Sequence, residues 1–278
     1  MSIAGKKIKK TLLHACLLLV AAIQVYPLFW LFGFSLKDNN EIFGGNIAGL
    51  PQNWRFSNYI EAFTQANVLQ YLFNSVLVTA LTIVITIVFA ATAAYAIQRM
   101  VWRGRNIAMK GILIGMMVPI HAVLLPLFIV LSKLKMLNTY WAIIIPYVAF
   151  GLPMAVYLFS SFMVAIPKEM EEAAAIDGCG IYKIFFRIIL PLIRPAIATV
   201  SIFTFISSWN ELMFAVTFIN KQQFKTLTVG IMSMVGAYTT KWGEIGAGLM
   251  IATIPTVIIY LLLSDQVQNS LVAGAVKG

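Results

Sequence analysis

The chain has 278 residues, of which 60% are hydrophobic and only 11% charged, and its mean hydropathy is +0.88. Soluble domains carry about 25% charged residues, so this composition excludes an ordinary globular protein and points to helices that cross a membrane. The net charge of +10 is spread over several short loops, which argues against a nucleic-acid-binding protein.

The chain opens with Lys6, Lys7, Lys9 and Lys10 and runs into an apolar stretch over 11–36. That stretch is too long for a cleaved leader and ends in no small-residue cleavage site. "VYPLFWLFGF" instead suits a retained first span finishing in an aromatic belt. Apolar runs over 69–97, 107–132, 141–165, 195–219 and 244–264 complete six predicted spans in one transmembrane domain over 1–278. Pro27, Pro119, Pro126, Pro146, Pro153 and Pro255 fall inside them and are expected to kink helices, which neighbouring helices tolerate in a membrane. With the N-terminus inside, thirteen of the 20 lysines and arginines lie on the inner side. They are the first four lysines, Arg99, Arg103, Arg105, Lys110, Lys168, Lys183, Arg187, Arg194 and Lys277. The bias places both termini in the cytoplasm.

Along this frame the chemical motifs are few. Cys16 and Cys179 fall in a span and an inner loop and are expected to stay unpaired. His14 and His121 lie in different spans, and no metal-ligand spacing, nucleophile elbow or phosphate-binding Gly-x-x-x-x-Gly-Lys-Ser/Thr loop is present. The Gly111-to-Gly115 spacing in span three suits close helix packing within the chain. Between spans four and five lies a loop over 166–194. Pro167 suits a first helical turn, and Glu169, Glu171 and Glu172 favour the dipole at that end. Ala173, Ala174 and Ala175 favour helix, and Gly178 after Asp177 is suited to a left-handed stop. A short stiff helix over 167–177 is therefore predicted. Ile181, Ile184, Phe185 and Ile188 then form an apolar stripe, expected to lie along the inner membrane surface until Pro191 and Pro195 break it. By these features alone the loop is either a docking element for a cytoplasmic partner or a plain connector. In span five, Ser207, Ser208, Asn210 and Glu211 form a polar patch. It reads either as a pathway through the bundle or as an interhelical hydrogen-bond cluster.

"EEAAAIDGCGIYKIFFRIILPLIRP" resembles the EAA loop of ABC-importer permeases. The pattern falls on Glu172, Ala173, Ala174, Gly178, Ile188, Leu190 and Pro191, and Asp177 matches the carbohydrate branch. "YPLFWLFGFSLK", "NWRFSNYIEAF", Asn74-Ser75, "WNELMFA", "TLTVGI", "ATIPTVIIYLL" and the terminal "AGAVKG" extend the resemblance to maltose-type permeases, and within them to the shorter subunit of the pair. "LSDQVQNSLV" over 263–272 departs from that pattern. The resemblance implies an all-α integral membrane protein of the type I importer permease fold, with six transmembrane helices and a cytoplasmic EAA coupling helix. It implies a non-catalytic subunit in a bacterial or archaeal cell membrane, working with a second similar permease, two ATPase subunits that hold ATP and magnesium, and an extracytoplasmic binding protein. A sugar, of di- or oligosaccharide size, would be the cargo. Glu172, Ala173, Ala174, Asp177 and Gly178 would dock on an ATPase, and Val276, Lys277 and Gly278 would reach toward the ATPase pair. Ser208, Asn210 and Glu211 are the candidate pathway residues. A secondary transporter would need more intramembrane carboxylates, and an intramembrane enzyme a paired nucleophile and base.

Overall fold

The computed structural model describes residues 3–236 and 240–275, and side-chain surroundings for 9–236 and 240–262. In chain order the helices are α1 (Ile3–Ser35), α2 (Asn39–Phe43), α3 (Ser57–Thr64), α4 (Val68–Arg99), α5 (Arg105–Gly115), α6 (Leu124–Lys133) and α7 (Trp141–Val164). There follow α8 (Glu169–Ile176), α9 (Ile181–Ile184), α10 (Leu190–Leu192), α11 (Arg194–Trp209), α12 (Met213–Phe218), α13 (Leu227–Met232) and α14 (Trp242–Ala275). A 3-10 turn over Ile120–Val123 leads into α6, and a π-helical turn over Phe185–Ile189 joins α9 to α10. Among the described residues there is no strand.

Four helical stretches are long and apolar enough to cross a membrane: Lys9–Ser35, Val68–Arg99, Trp141–Val164 and Trp242–Leu262. Two bent pairs reach that length only together. Arg105–Gly115 meets Ile120–Lys133 at 91°, and Ile181–Leu192 meets Arg194–Trp209 at 74°. The described residues thus hold four to six spans. The expected third span, 107–132, is not one rod. It breaks at Pro119, which is extended (φ −65°, ψ 119°), whereas Pro27, Pro146, Pro153 and Pro255 stay inside continuous helices. The expected fifth span, 195–219, also differs. Its helix stops at Trp209 and restarts at Met213. The 181–192 segment, expected to lie flat before it, forms a bent pair with α11, and the bend falls at Ile193 between Pro191 and Pro195.

The chain divides into two compact units, Met1–Val68 with Ile231–Ile254, and Leu69–Gly230 with Pro255–Gly278. In the first, Asn58 donates from Nδ2 to the carbonyls of Ser35 and Lys37, satisfying acceptors at the end of α1. Asn39 accepts the Trp242 amide and so caps the start of α14. Gly243 packs so tightly against the Lys37 carbonyl and Asn58 that a Cβ would have no room. Lys37 is fully buried, its ammonium donating to the carbonyls of Asn46 and Gly49 at 2.6 and 2.7 Å.

The second unit has two apolar clusters. One gathers Ala90, Ala91 and Ala94 of α4, Val156, Phe159 and Met163 of α7, Ala174 of α8, and Phe185, Ile189 and Ile193. The other gathers Val78 of α4, Leu131 of α6, Ile143, Ile144 and Val148 of α7, and Phe214 and Phe218 of α12. The Asn74-Ser75 pair acts as a clip. Asn74 Nδ2 donates to the carbonyls of Gln223 and Lys225, and Ser75 Oγ accepts the Leu227 amide. Gly230, the glycine of "TLTVGI", lets the backbone approach the Tyr71 ring, which a Cβ would strike.

Candidate functional site

The loop between α7 and α11 holds the helix expected from its acids and alanines. α8 covers Glu169–Ile176, within the expected 167–177. It ends as the glycine implies. Gly178 has φ +79°, its amide donates to the Ala175 carbonyl at 3.0 Å, and the Cys179 amide donates to the Ala174 carbonyl at 2.9 Å. This is a Schellman stop, which closes the last turn and reverses the chain. The arrangement divides α8 into two faces. Glu172, Ala173, Ala175, Ile176, Asp177 and Gly178 are exposed, while Ala174 is buried in the apolar cluster. Of the five residues singled out as docking residues, four are thus on the surface and Ala174 seats the helix.

Sequence reasoning missed what fixes the inner face. Arg99 is the last residue of α4, and its side chain is only 7% exposed. Its Nε lies 2.8 Å from Oε1 of Glu171, whose side chain is 13% exposed; the two buried atoms meet as an ion pair, without a directed hydrogen bond. Arg99 Nη2 donates to the carbonyls of Met163 and Ile166, each at 2.7 Å, and so adds a charged donor to acceptors at the end of α7. Tyr95, one turn back along α4, donates its hydroxyl to Glu171 Oε2 at 3.2 Å and packs its ring on Phe185 at 5.1 Å. One guanidinium therefore joins the ends of α4 and α7 to α8. The sequence offered a weak signal, an arginine closing an apolar run, and it served only to assign sidedness.

The second candidate region is the break after α11. Glu211 sits between α11 and α12 and is not buried in mid-span. Its Oε1 accepts the Phe214 amide at 2.8 Å, and its Oε2 accepts the Ala215 amide at 3.2 Å and the Tyr147 hydroxyl at 2.6 Å. The carboxylate thus starts α12, as a side-chain cap does, and pins it to α7. Thr228 donates to the Glu211 carbonyl at 3.1 Å. An acid three residues before an apolar amide is a helix-start signal that could have located this break.

A cavity of about 230 Å³ opens at this break, lined by Glu211, Ser208, Ser207 and Thr204, the aromatic rings of Tyr147, Phe150 and Phe203, and Thr82 of α4. Ser208 and Glu211 are among its lining residues. Asn210 is not; it turns back to donate to the Ile206 carbonyl at 2.9 Å. Tyr147, Phe150 and Phe203 carry no signal in the sequence beyond their place in apolar runs. The remaining candidates, Val276, Lys277 and Gly278, lie outside the described residues.

An all-helical chain of apolar spans, some broken, with a short polar helix held between them, has the build of the membrane-embedded part of a transport machine. Residues 86–275 match the family described as "Binding-protein-dependent transport system inner membrane component", and the chain belongs to that family. Among its relatives is the "Probable ABC transporter permease protein YurM" of Bacillus subtilis (strain 168), 38% identical over 91% of this chain and 84% of that protein. Another is the "Diacetylchitobiose uptake system permease protein NgcG" of Streptomyces coelicolor, 32% identical over 95% of this chain and 88% of that one. The fold is that of a chain in the crystal structure of a bacterial ABC transporter "involved in the import of the acidic polysaccharide alginate". The TM-score is 0.80 at 22% identity, over 95% of this chain and 98% of that one. The resemblance to carbohydrate permeases of the maltose type is borne out, and so is the all-helical type I importer permease fold.

Proposed function

We propose that this chain is one of two similar membrane subunits of an ATP-driven importer that moves a saccharide, of di- or oligosaccharide size, across the cytoplasmic membrane. An extracytoplasmic binding protein delivers the saccharide, and separate ATPase subunits power the transfer. Each bent pair counts as one span, giving six, with both termini and α8 on the cytoplasmic side, in keeping with the distribution of lysine and arginine. The observation that carries the reading is α8. It is a short polar helix with an exposed Glu172–Ala173 edge, a glycine stop and a fixed inner face. A partner can grip such a helix and move what it is fastened to.

The cavity at the Glu211 break is the proposed border of the pathway. Its aromatic rings suit the faces of sugar rings, and Ser207 offers a hydroxyl partner. Both oxygens of Glu211 already accept protein donors, which favours a structural carboxylate over one that binds a coupling ion. The C-terminal residues Val276, Lys277 and Gly278 are proposed to reach the ATPase pair.

The test is co-purification and uptake. Affinity-tagged chain, expressed with its genomic neighbours, should bring down an ATPase. Ala173→Lys should sharply lower its recovery, while Lys183→Gln should not. Full recovery of the ATPase with Ala173→Lys would remove α8 from the docking role.

A further inference from the structure

We infer that Arg99 and Glu171 are positioning residues of the transport cycle. They make α8 and the ends of α4 and α7 move as one body, so that displacement of α8 is delivered to two spans. The inference rests on the proposed importer reading and goes beyond it, because docking on α8 does not by itself say how motion leaves that helix. Along the chain, α8 is tied to its neighbours only by short links, 165–168 before it and 177–180 after it. A link of this kind can absorb a push by rotating its backbone. The ion pair bypasses both links.

The geometry has three parts. Glu171 is the charged side chain that α8 turns inward, and it meets Arg99 at 2.8 Å. Arg99 holds two carbonyls of the α7 end at 2.7 Å with its other nitrogen. Its guanidinium is planar, so these contacts share one rigid plane, which a lysine could not reproduce. Tyr95 holds the second carboxylate oxygen and also packs on Phe185, extending the contact to the segment that leads to α11. α4 has 32 residues and is therefore about 48 Å long, more than the roughly 30 Å of a bilayer core, so its end can stand clear of the lipid where such a pair is tolerable.

The experiment uses the whole complex in proteoliposomes. The probe is whichever of labelled maltose, trehalose, cellobiose and diacetylchitobiose wild-type vesicles accumulate fastest. The quantity read is sugar imported per ATP hydrolysed, alongside ATPase recovered with the complex. Glu171→Gln keeps the shape and removes the charge. It should retain the ATPase but lower sugar per ATP by about fivefold or more, the scale of a typical coupling between sites. Glu171→Asp should recover part of that loss, and Tyr95→Phe should give a smaller loss of the same kind. These two serve if Glu171→Gln assembles poorly. Variants that assemble less complex, yet import the wild-type amount per ATP, would overturn the inference and leave the pair a stability element. Wild-type vesicles that bind no ATPase and accumulate no sugar would overturn the importer reading itself, and this inference with it.

Discussion

Two partly buried carboxylates in the same unit are satisfied in opposite ways. Glu171 reaches across 72 positions of sequence to Arg99, and its partner in turn holds the end of α7. Glu211 looks mainly to its own neighbourhood, taking the amides of Phe214 and Ala215, with Tyr147 as its one distant donor. The first carboxylate fastens elements together and the second builds a turn. A long-range pair transmits force because no backbone torsion lies between its ends. A locally satisfied acid shapes the chain where it sits, here interrupting a span and opening a cavity.

The largest effect should come from breaking the long-range pair. Arg99→Ala leaves the largely covered Glu171 charged without its counter-ion and takes a charged donor from two carbonyls at the end of α7. Removal of one partner from a buried pair costs about 3–5 kcal/mol. Thermal unfolding of detergent-purified protein should show the largest drop of any single change discussed, and limited proteolysis should open the 165–180 segment first. A loss no greater than that of an exposed arginine would mean that the pair is solvated and links nothing.

Glu211→Gln should cost less, about 1–3 kcal/mol, the range for a buried polar group left mismatched. The amide keeps one acceptor oxygen but must turn an N–H toward either the α12 amides or the Tyr147 hydroxyl. The damage should stay local. Hydrogen exchange should rise in 211–218 and remain unchanged in α8. Equal loosening of α8 would erase the distinction between fastening and turn-building.

The contrast also shows what was legible in the sequence. The apolar runs, the polar helix with its left-handed glycine, and the polar patch at 207–211 could be read because each depends on local composition and spacing. Pro119 and Pro146 are the same residue in equally apolar surroundings, yet one breaks a helix and the other does not. Packing against other helices decides that, and one chain's residue order does not display it. Arg99 was visible only as a charge that assigns sidedness, since nothing local links it to a glutamate 72 residues away. Asn210 was grouped with Glu211 by adjacency. The end of α11 turned the two side chains apart, one back to Ile206 and one forward to α12.

A smaller effect tests the turn that holds α8 in register. Gly178 occupies a left-handed conformation at φ +79°, with open space where a side chain would go. Gly178→Ala therefore meets backbone strain without a clash, about 1–2 kcal/mol. Gly180→Ala, also in open space but without that conformation, serves as the control. Circular dichroism melts should separate the two variants. Identical melts would mean that the loop relaxes freely and that the stop of α8 is not fixed.

The smallest effect belongs to a third kind of acid, solvent-facing Glu61 in the other unit. It pairs with Lys241 at 3.2 Å, and Lys241 meets Glu244 at 2.6 Å. Hydrogen bonding with the Glu244 carboxyl, and then with Lys241, holds the Glu61 pKa below its ordinary value. Contacts to Glu244 and then Glu61 raise that of Lys241. A depressed carboxylate pKa contributes stability above its ordinary value of about 4.3, and that contribution is lost as pH falls through the lowered value. A raised lysine pKa contributes below about 10.4, and that contribution is lost as pH rises through the raised value. Glu61→Gln should therefore lower thermal stability slightly and by a constant amount from about pH 5 to pH 9, with the difference shrinking as pH falls below about 4 and gone once pH is below the lowered value. Lys241→Gln should show a penalty that fades at both ends, at low pH as its glutamate partners protonate and at high pH as the lysine itself loses its proton. Both penalties should shrink in high salt, because exposed pairs are screened while the Arg99–Glu171 pair is not. A Glu61→Gln penalty that does not shrink as pH falls below about 4, or that ignores salt, would show that this acid acts through packing and belongs with the partly buried carboxylates.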